Sequence, residues 1–300
     1  MENLVEKILS LKKEKDAVIV AHNYQRGEVQ DIADYTGDSL QLARIVRELP
    51  NKIVVVAGVY FMGETAAILS PDKKILIPRI DASCPLAEMI TVEDIRKIRR
   101  EYPDHAIVTY VNSTAEIKAE SDICCTSANA VNVVNSLPQE KIYFTPDRNL
   151  AQWVKKHSSK EIKWWDGYCP VHRRLKKEDV ISLKRQYPDA KFVAHPECEP
   201  EVLELADHVC STSGLYPYAR ETDARVFIIG TEEGVIHRLK KENPDKEFIP
   251  ASEKLVCPNM KKITLRDIYL SLKEEKFEIK IPEDIRLRAL NAVEKMAQIS

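Results

Sequence analysis

Glycine is scarce in this sequence, with 8 glycines in 300 residues, where average usage would give about 21. No two glycines form a G-x-G pair, and none is followed by lysine. The glycine-rich dinucleotide fingerprint and the phosphate-binding P-loop are therefore both absent. These two glycine-dependent nucleotide sites are excluded.

Long apolar segments and a strong charge excess are also missing. The longest apolar run, residues 53–63, is shorter than the roughly 20 residues that a membrane-spanning helix needs. The N-terminal segment lacks the apolar core of a signal peptide. The 45 Lys and Arg against 47 Asp and Glu leave a net charge of −2, which gives no electrostatic basis for binding nucleic acid or anionic membranes. We therefore expect a cytoplasmic protein that binds neither.

The sequence has seven cysteines but no C-x-x-C pair. The ordinary zinc-finger and ferredoxin spacings are therefore excluded. In a cytoplasmic chain, an odd number of cysteines favours free thiols or metal ligands over disulfides. Any metal site must collect its cysteines from distant parts of the chain.

What the sequence does contain is a threefold internal repeat. Apolar, strand-like runs at 16–25, 105–114 and 190–199 align with one another. At spacings of 88 and 85 residues, the alignment gives columns of polar residues. The first column lies at the end of each run and contains His22, Tyr110 and His195. The second, two residues further on, contains Tyr24, Asn112 and Glu197. The third contains Asp34, Asp122 and Asp207, and the fourth contains Ser39, Ser127 and Thr212.

Cysteine recurs at the same place in each repeat. Cys84, Cys169 and Cys257 each follow the third apolar run of their repeat, and each is followed by proline. Strands that alternate with helical segments in this way indicate parallel βαβ units with right-handed crossovers.

We therefore predict an α/β fold made of three similar three-layer αβα domains with parallel sheets. They are expected around a pseudo-threefold axis with a central active-site cavity. The predicted domains are 1–88, 89–173 and 174–262, and residues 263–300 form a C-terminal helical extension that packs back on the first repeat. Each domain is expected to have three strands. The alternative is one continuous doubly wound sheet.

Ligands bind at the carboxyl ends of parallel strands, which is where the polar columns and the three cysteines fall. Three converging thiolates could hold zinc with one open position. A [4Fe–4S] cluster fits better, and it would leave one iron open as a Lewis acid. The alternative is that these cysteines are small buried hydrophobic residues. We interpret the four remaining cysteines as packing residues: Cys124, Cys125, Cys198 and Cys210.

The roles of several other polar residues stay open. Ser39 and Ser127 stand where helix N-caps belong, but hydroxyls and helix N-termini can also bind anions. His172 could hydrogen-bond to groups around the metal without binding the metal itself. Glu64 and Glu232 flank strand ends, where they could face the cavity or solvent.

Longer stretches of the sequence are similar to the quinolinate synthase family. The matching motifs cover nearly the whole chain and include AHNYQ at 21–25, GVYFMGETA at 58–66, CCTSANAV at 124–131, GYCPVH at 167–172, HPEC at 195–198, IGTEEG at 229–234 and CPNMKK at 257–262. The shorter form of the family is implied, because no C-x-x-C-x-x-C tail is present. Residues 215–223 match least well, so the resemblance does not predict the conformation of the lid over the cavity.

The resemblance implies a reaction and a cofactor. Members condense iminoaspartate with dihydroxyacetone phosphate to quinolinate, releasing phosphate and two waters. The implied cofactor is one [4Fe–4S] cluster with three cysteine ligands, matching Cys84, Cys169 and Cys257, and one open iron. A functional link to the enzyme that supplies iminoaspartate is also implied. Residues matching the family's substrate site are His22, Tyr24, Ser39, Tyr110, Asn112, Ser127, His195, Glu197, Ser211 and Thr212.

We expect Glu197 and His195, with Tyr24 and Tyr110, to carry the proton transfers. Glu197 is the expected general base, because its counterpart Asn112 cannot take up a proton. Two alternative functions remain at this stage: an iron–sulfur hydro-lyase acting on a hydroxy acid, and a non-enzymatic iron–sulfur sensor.

Overall fold

The computed structural model describes residues 2–299. Strands alternate with helices along the chain, and the strands form three four-stranded parallel sheets. The predicted α/β class with three similar βαβ-type units is confirmed, and the alternative of one continuous sheet is wrong. No helix within residues 2–299 is long and apolar enough to cross a membrane.

The first sheet contains β1 (Ala17–His22), β2 (Tyr35–Gly37), β3 (Ile53–Ala57) and β4 (Lys74–Leu76). Its helices are α1 (Glu2–Glu14), α2 (Gly27–Ile32), α3 (Ser39–Glu48) and α4 (Tyr60–Leu69). The strand order is β2-β1-β3-β4. β1 is buried along its whole length, as expected for a central strand of a parallel sheet.

The second unit comprises α5 (Val92–Glu101), β5 (Ala106–Tyr110), α6 (Ala115–Ala119), β6 (Ile123–Cys125), α7 (Ala130–Ser136), β7 (Lys141–Thr145), α8 (Arg148–Lys156) and β8 (Glu161–Trp164). The third comprises α9 (Lys177–Gln186), β9 (Lys191–Ala194), α10 (Pro200–Leu203), β10 (His208–Val209), α11 (Thr212–Glu221), β11 (Val226–Gly230), α12 (Val235–Glu242) and β12 (Glu247–Pro250). Both sheets repeat the strand order of the first, as β6-β5-β7-β8 and β10-β9-β11-β12.

Each sheet has one strand more than the sequence predicts. The additional strands, β2, β6 and β10, are only two or three residues long, too short for an alternating pattern to show. An aspartate before each of them fixes its position. The carboxylates of Asp34, Asp122 and Asp207 accept hydrogen bonds of 2.8–2.9 Å from backbone N–H groups of β1, β5 and β9. This aligned column is therefore structural.

Two further helices complete the chain. α13 (Leu265–Glu274) packs against α1, and α14 (Glu283–Gln298) packs against α4 and α6. The buried face of α14 consists of Ala289, Ala292, Val293 and Met296. Because most of these side chains are small, α14 can lie close to α4 of the first unit and to α6 of the second unit.

Candidate active site

The carboxyl ends of the three sheets meet at one central cavity. β1 ends at His22 and β5 ends at Tyr110, while His195 directly follows β9. The cavity contains nearly all the residues that the sequence singles out. Its lining includes His22, Tyr24, Ser39, Cys84, Tyr110, Asn112, Ser127, Cys169, His195, Glu197, Thr212 and Cys257. Ser211 is not part of this lining but caps α11, because its side chain accepts a hydrogen bond from the N–H of Gly214.

Each of the three lining cysteines precedes a short 3₁₀ turn, formed by Pro85–Glu88, His172–Arg174 and Met260–Lys262. Backbone N–H groups from the turns approach the sulfurs. They come from Leu86 and Ala87 at the first cysteine, from His172 at the second, and from Asn259 and Met260 at the third. Such donors favour the thiolate form of a cysteine.

Burial has the opposite effect on these thiols. It raises the pKa of Cys84 to about 12, helped by the nearby Cys257 and Glu197. It also raises the pKa of Cys169 and of Cys257. The cavity thus combines three partly buried cysteines with backbone N–H groups near each sulfur. Among its described lining residues the only Lys or Arg is Arg174, which is exposed. This donor set fits a thiolate-bound metal centre.

Glu197 lies at the centre of a buried group of ionisable side chains. Its Oε2 is 2.7 Å from His172 Nδ1 and 3.5 Å from His195 Nδ1, and the two imidazole rings stack with centroids 4.7 Å apart. Burial by itself raises the pKa of Glu197, but His172, His195 and a hydrogen bond from Tyr110 lower it to about 2. Burial lowers the pKa of His195 to about 3. The cavity therefore holds an ionised carboxylate beside a neutral His195 at neutral pH.

A chain of short polar contacts connects Glu197 to Tyr24. His172 Nε2 lies 2.9 Å from Thr231 Oγ1, which lies 2.7 Å from the Tyr24 hydroxyl. Burial and the charge of Glu197 raise the pKa of Tyr24 and of Tyr110 well above the ordinary value. Both phenols therefore stay protonated and can donate hydrogen bonds. The sequence analysis did not identify Thr231, although it follows β11 at the carboxyl edge of the third sheet.

The N-cap interpretation of Ser39 and Ser127 is wrong. The N-cap of α3 is Asp38, whose side chain accepts from Gln41 N at 2.9 Å, because a carboxylate is a strong acceptor for the first turn. Ser127 lies before the N-cap of α7, Asn129. Its hydroxyl instead lies 3.1 Å from His195 Nε2. Both serines line the cavity without being needed as caps.

The two glutamates that the sequence left open have different surroundings. Glu232 lines the cavity and is fully buried. It accepts hydrogen bonds from the N–H of Cys257 at 3.0 Å and of Gly234 at 2.8 Å, and its Oε1 lies 2.9 Å from Lys261 Nζ. Glu232 thereby fixes the loop that presents the third cysteine.

Glu64 is not among the residues that line this cavity. It is buried, and it accepts a hydrogen bond from the N–H of Ala115 at 3.2 Å. Burial raises its pKa to about 7, although the nearby Lys118 acts in the opposite direction. Glu64 supports the loop that follows β5.

One group in the described part of the chain has the composition of a metal site. The ligand atoms of Cys169, His172 and Glu197 all lie within 4.8 Å of one another. The cysteines interpreted as packing residues have the environment expected of them. Cys124, Cys125 and Cys198 are buried in apolar clusters, and Cys210 packs partly buried against another.

Comparison with known proteins agrees with this geometry. Residues 6–298 match the family model described as quinolinate synthetase A protein. The chain is 55% identical over 293 residues to the quinolinate synthase of Thermodesulfovibrio yellowstonii, covering 97% of both chains. It is 54% identical to that of Geotalea uraniireducens, covering 99% of this chain and 98% of the relative, and 52% identical to that of Dehalococcoides mccartyi strain CBDB1, covering 99% of both.

Proposed function

This chain belongs to the quinolinate synthetase A protein family, a family of enzymes of NAD biosynthesis, and we propose that it condenses iminoaspartate with dihydroxyacetone phosphate to quinolinate, releasing phosphate and two waters. The observation that carries the proposal is the composition of the central cavity. One cysteine from each repeat lies there together with Glu197, two histidines and two tyrosines from the strand ends. We also infer three domains at 1–88, 89–173 and 174–262, followed by the extension 263–300.

Cys84, Cys169 and Cys257 would hold one [4Fe–4S] cluster with one iron free of cysteine. The N–H groups directed at each sulfur support this assignment, since hydrogen bonds to the sulfurs stabilise and tune such clusters. When bound, the cluster would supply a Lewis acid that polarises a hydroxyl or carboxylate oxygen. Glu232 would keep Cys257 in place through its hydrogen bond to the N–H of that residue.

The substrates are anions, and the cavity offers uncharged donors for them. Ser39 is the first residue of α3, and Thr212 is the first residue of α11. Their hydroxyls lie beside backbone N–H groups at the start of a helix, which favours phosphate and carboxylate. Ser127, Asn112 and His22 would complete the substrate contacts, and Ser211 would act by capping α11.

Glu197 is in its base form at neutral pH, because its pKa is about 2. A low pKa also makes it a weak base, so an accepted proton must be passed on. The chain through His172 Nδ1, His172 Nε2, Thr231 and Tyr24 has steps of 2.7, 2.9 and 2.7 Å. We infer that a proton taken up at Glu197 moves along this chain, and that Tyr24 passes its own hydroxyl proton to a departing hydroxyl of the substrate, which leaves as water. Tyr110, which stays protonated, would donate to the developing charge on a substrate oxygen.

The test is a quinolinate assay on anaerobically reconstituted protein. Quinolinate should form only when dihydroxyacetone phosphate and enzymatically generated iminoaspartate are both present. Product formation without one of the two substrates, or no product from protein with a full content of iron and sulfide, would contradict the proposal. Consumption of a hydroxy acid alone would instead identify a hydro-lyase.

A further inference from the structure

A second pocket adjoins the central cavity at the protein surface. It is lined by Tyr168, Pro170, Arg173, Arg174, Lys176 and Lys254. Pro170 and Arg174 line both the pocket and the central cavity. Arg174 is exposed while it also lines the cavity, so this side chain connects the lining of the cavity with the surface.

The pocket concentrates positive charge in a chain whose net charge is −2. Four of its six lining residues are cationic, and none is acidic. Within residues 2–299, no carboxylate lies within 4.0 Å of the side-chain nitrogens of Arg174, Lys176 or Lys254. Only Arg173 has such a neighbour, with Nε 4.0 Å from Glu199. That carboxylate is already 3.0 Å from Arg148, so it offsets little of the pocket's charge.

The shape of the pocket is fixed in part by stacking. The guanidinium of Arg173 lies 4.1 Å from the centroid of the Tyr168 ring, and that of Arg148 lies 5.1 Å from it. Cation–π contacts of this kind hold a guanidinium in place without neutralising its charge. Arg173 therefore stays available to an anion in solution.

The interior of the central cavity has the opposite electrostatic character. Its charged lining residues apart from Arg174 are Asp38, Glu197 and Glu232, of which Glu232 is paired with Lys261. Carboxylates at this depth repel an incoming anion, because the low dielectric of the interior strengthens the interaction. Anionic substrates thus need an attractive field at the opening, and the cationic pocket adjoins the cavity at Arg174.

We propose that this pocket, formed around Arg173, Arg174, Lys176 and Lys254, is an anion-collecting vestibule that raises the concentration of phosphate- and carboxylate-bearing substrates at the opening of the cavity. The identity of those substrates rests on the proposed function. Charged clefts of this kind increase association and local substrate concentration by about 10–10³-fold at low salt.

The test replaces charge outside the central cavity. The vestibule variant is Arg173→Gln, Lys176→Gln and Lys254→Gln, which leaves Arg174 and the cavity lining intact. The control variant is Lys13→Gln, Lys97→Gln and Lys240→Gln, which removes the same charge from exposed lysines elsewhere. In the vestibule variant, kcat/KM for dihydroxyacetone phosphate should fall about tenfold at low ionic strength. The difference should shrink to less than about twofold near 0.5 M salt, because screening removes the field.

A second measurement is independent of turnover. Calorimetric titration with inorganic phosphate at low salt should show weaker binding to the vestibule variant than to the control or the unmodified chain. Equal kcat/KM and equal phosphate binding in the two variants would overturn the vestibule, as would a loss that persists at high salt. If the unmodified chain makes no quinolinate, the proposed function fails, while the phosphate titration still decides whether the vestibule binds anions.

Discussion

Replacing Glu197 by glutamine perturbs the centre of the cavity with almost no change in size. The substitution removes the charge that lies 2.7 Å from His172 Nδ1 and accepts a hydrogen bond from Tyr110. The proposed proton transfers need this carboxylate, because an amide cannot accept a proton. We therefore expect Glu197→Gln to bind the cluster and the substrates but to turn over slowly.

The magnitude follows from two separate effects. Removing a group that transfers a proton costs about 10²–10⁴-fold in rate, which corresponds to about 3–5 kcal/mol in the activation barrier. The pKa of Glu197 falls from the ordinary 4.5 to about 2 in the folded chain. The ionised carboxylate therefore favours folding, and this contribution is present at pH above about 4.5 and lost as the pH falls toward 2.

The assay is single-turnover formation of quinolinate with the iron and sulfide content of each variant verified. Urea unfolding at neutral pH measures the stability effect separately. Glu201→Gln is the matched control, because Glu201 is exposed, lies four residues away and lines neither the cavity nor the cationic pocket. A rate for Glu197→Gln equal to that of the unmodified protein would refute the assignment of this carboxylate to proton transfer.

Three further predictions concern the ligands, the helix starts and a buried carboxyl. Alanine at any of the three lining cysteines should abolish cluster binding, whereas Cys124→Ala should retain it; full iron content after any of the three substitutions would contradict the ligand assignment. Ser39→Ala should weaken phosphate binding, measured by titration, with little change in the free energy of unfolding. Asp38→Ala should lower the free energy of unfolding in urea by about 1 kcal/mol, because it removes the cap of α3. The reverse pattern would show that the serine is structural. Glu64 has a pKa raised from 4.5 to about 7 by burial, so its ionisation opposes folding as the pH rises from about 4.5 through 7. Relative to the unmodified protein, Glu64→Gln should therefore gain up to about 3 kcal/mol in urea unfolding between pH 5 and pH 8, and a difference that does not change with pH would contradict this.

The repeat made much of this architecture predictable from the sequence. Buried parallel strands appear as continuous β-branched runs, and three copies of one pattern reinforce one another. Cys84, Cys169 and Cys257 each follow the last strand of their sheet. If the three repeats surround one cavity, all three cysteines are therefore expected to reach that cavity. The strands of two or three residues were missed, because their position depends on the pairing of Asp34, Asp122 and Asp207 with the neighbouring strand.

Contacts between repeats could not be predicted in the same way. The hydrogen bond between Thr231 and Tyr24 joins residues 207 positions apart, and the contact of Ser127 with His195 joins residues 68 apart. Neither residue type signals such a partner. The cap of α3 depended on a choice between adjacent acceptors, Asp38 and Ser39, which only the backbone geometry decides.

The central claim is that three cysteines, one from each repeat, would hold a cluster with one iron free of cysteine in the cavity that Glu197 also lines. Mössbauer spectroscopy of anaerobically reconstituted, iron-57-labelled protein, with and without saturating quinolinate, tests it most directly. The adjacent nitrogen and carboxylate of quinolinate should change the signal of one iron in four and leave the other three unaltered, since those are held by thiolates. A four-iron spectrum that quinolinate leaves unchanged, or a protein that binds no cluster at all, would contradict the account.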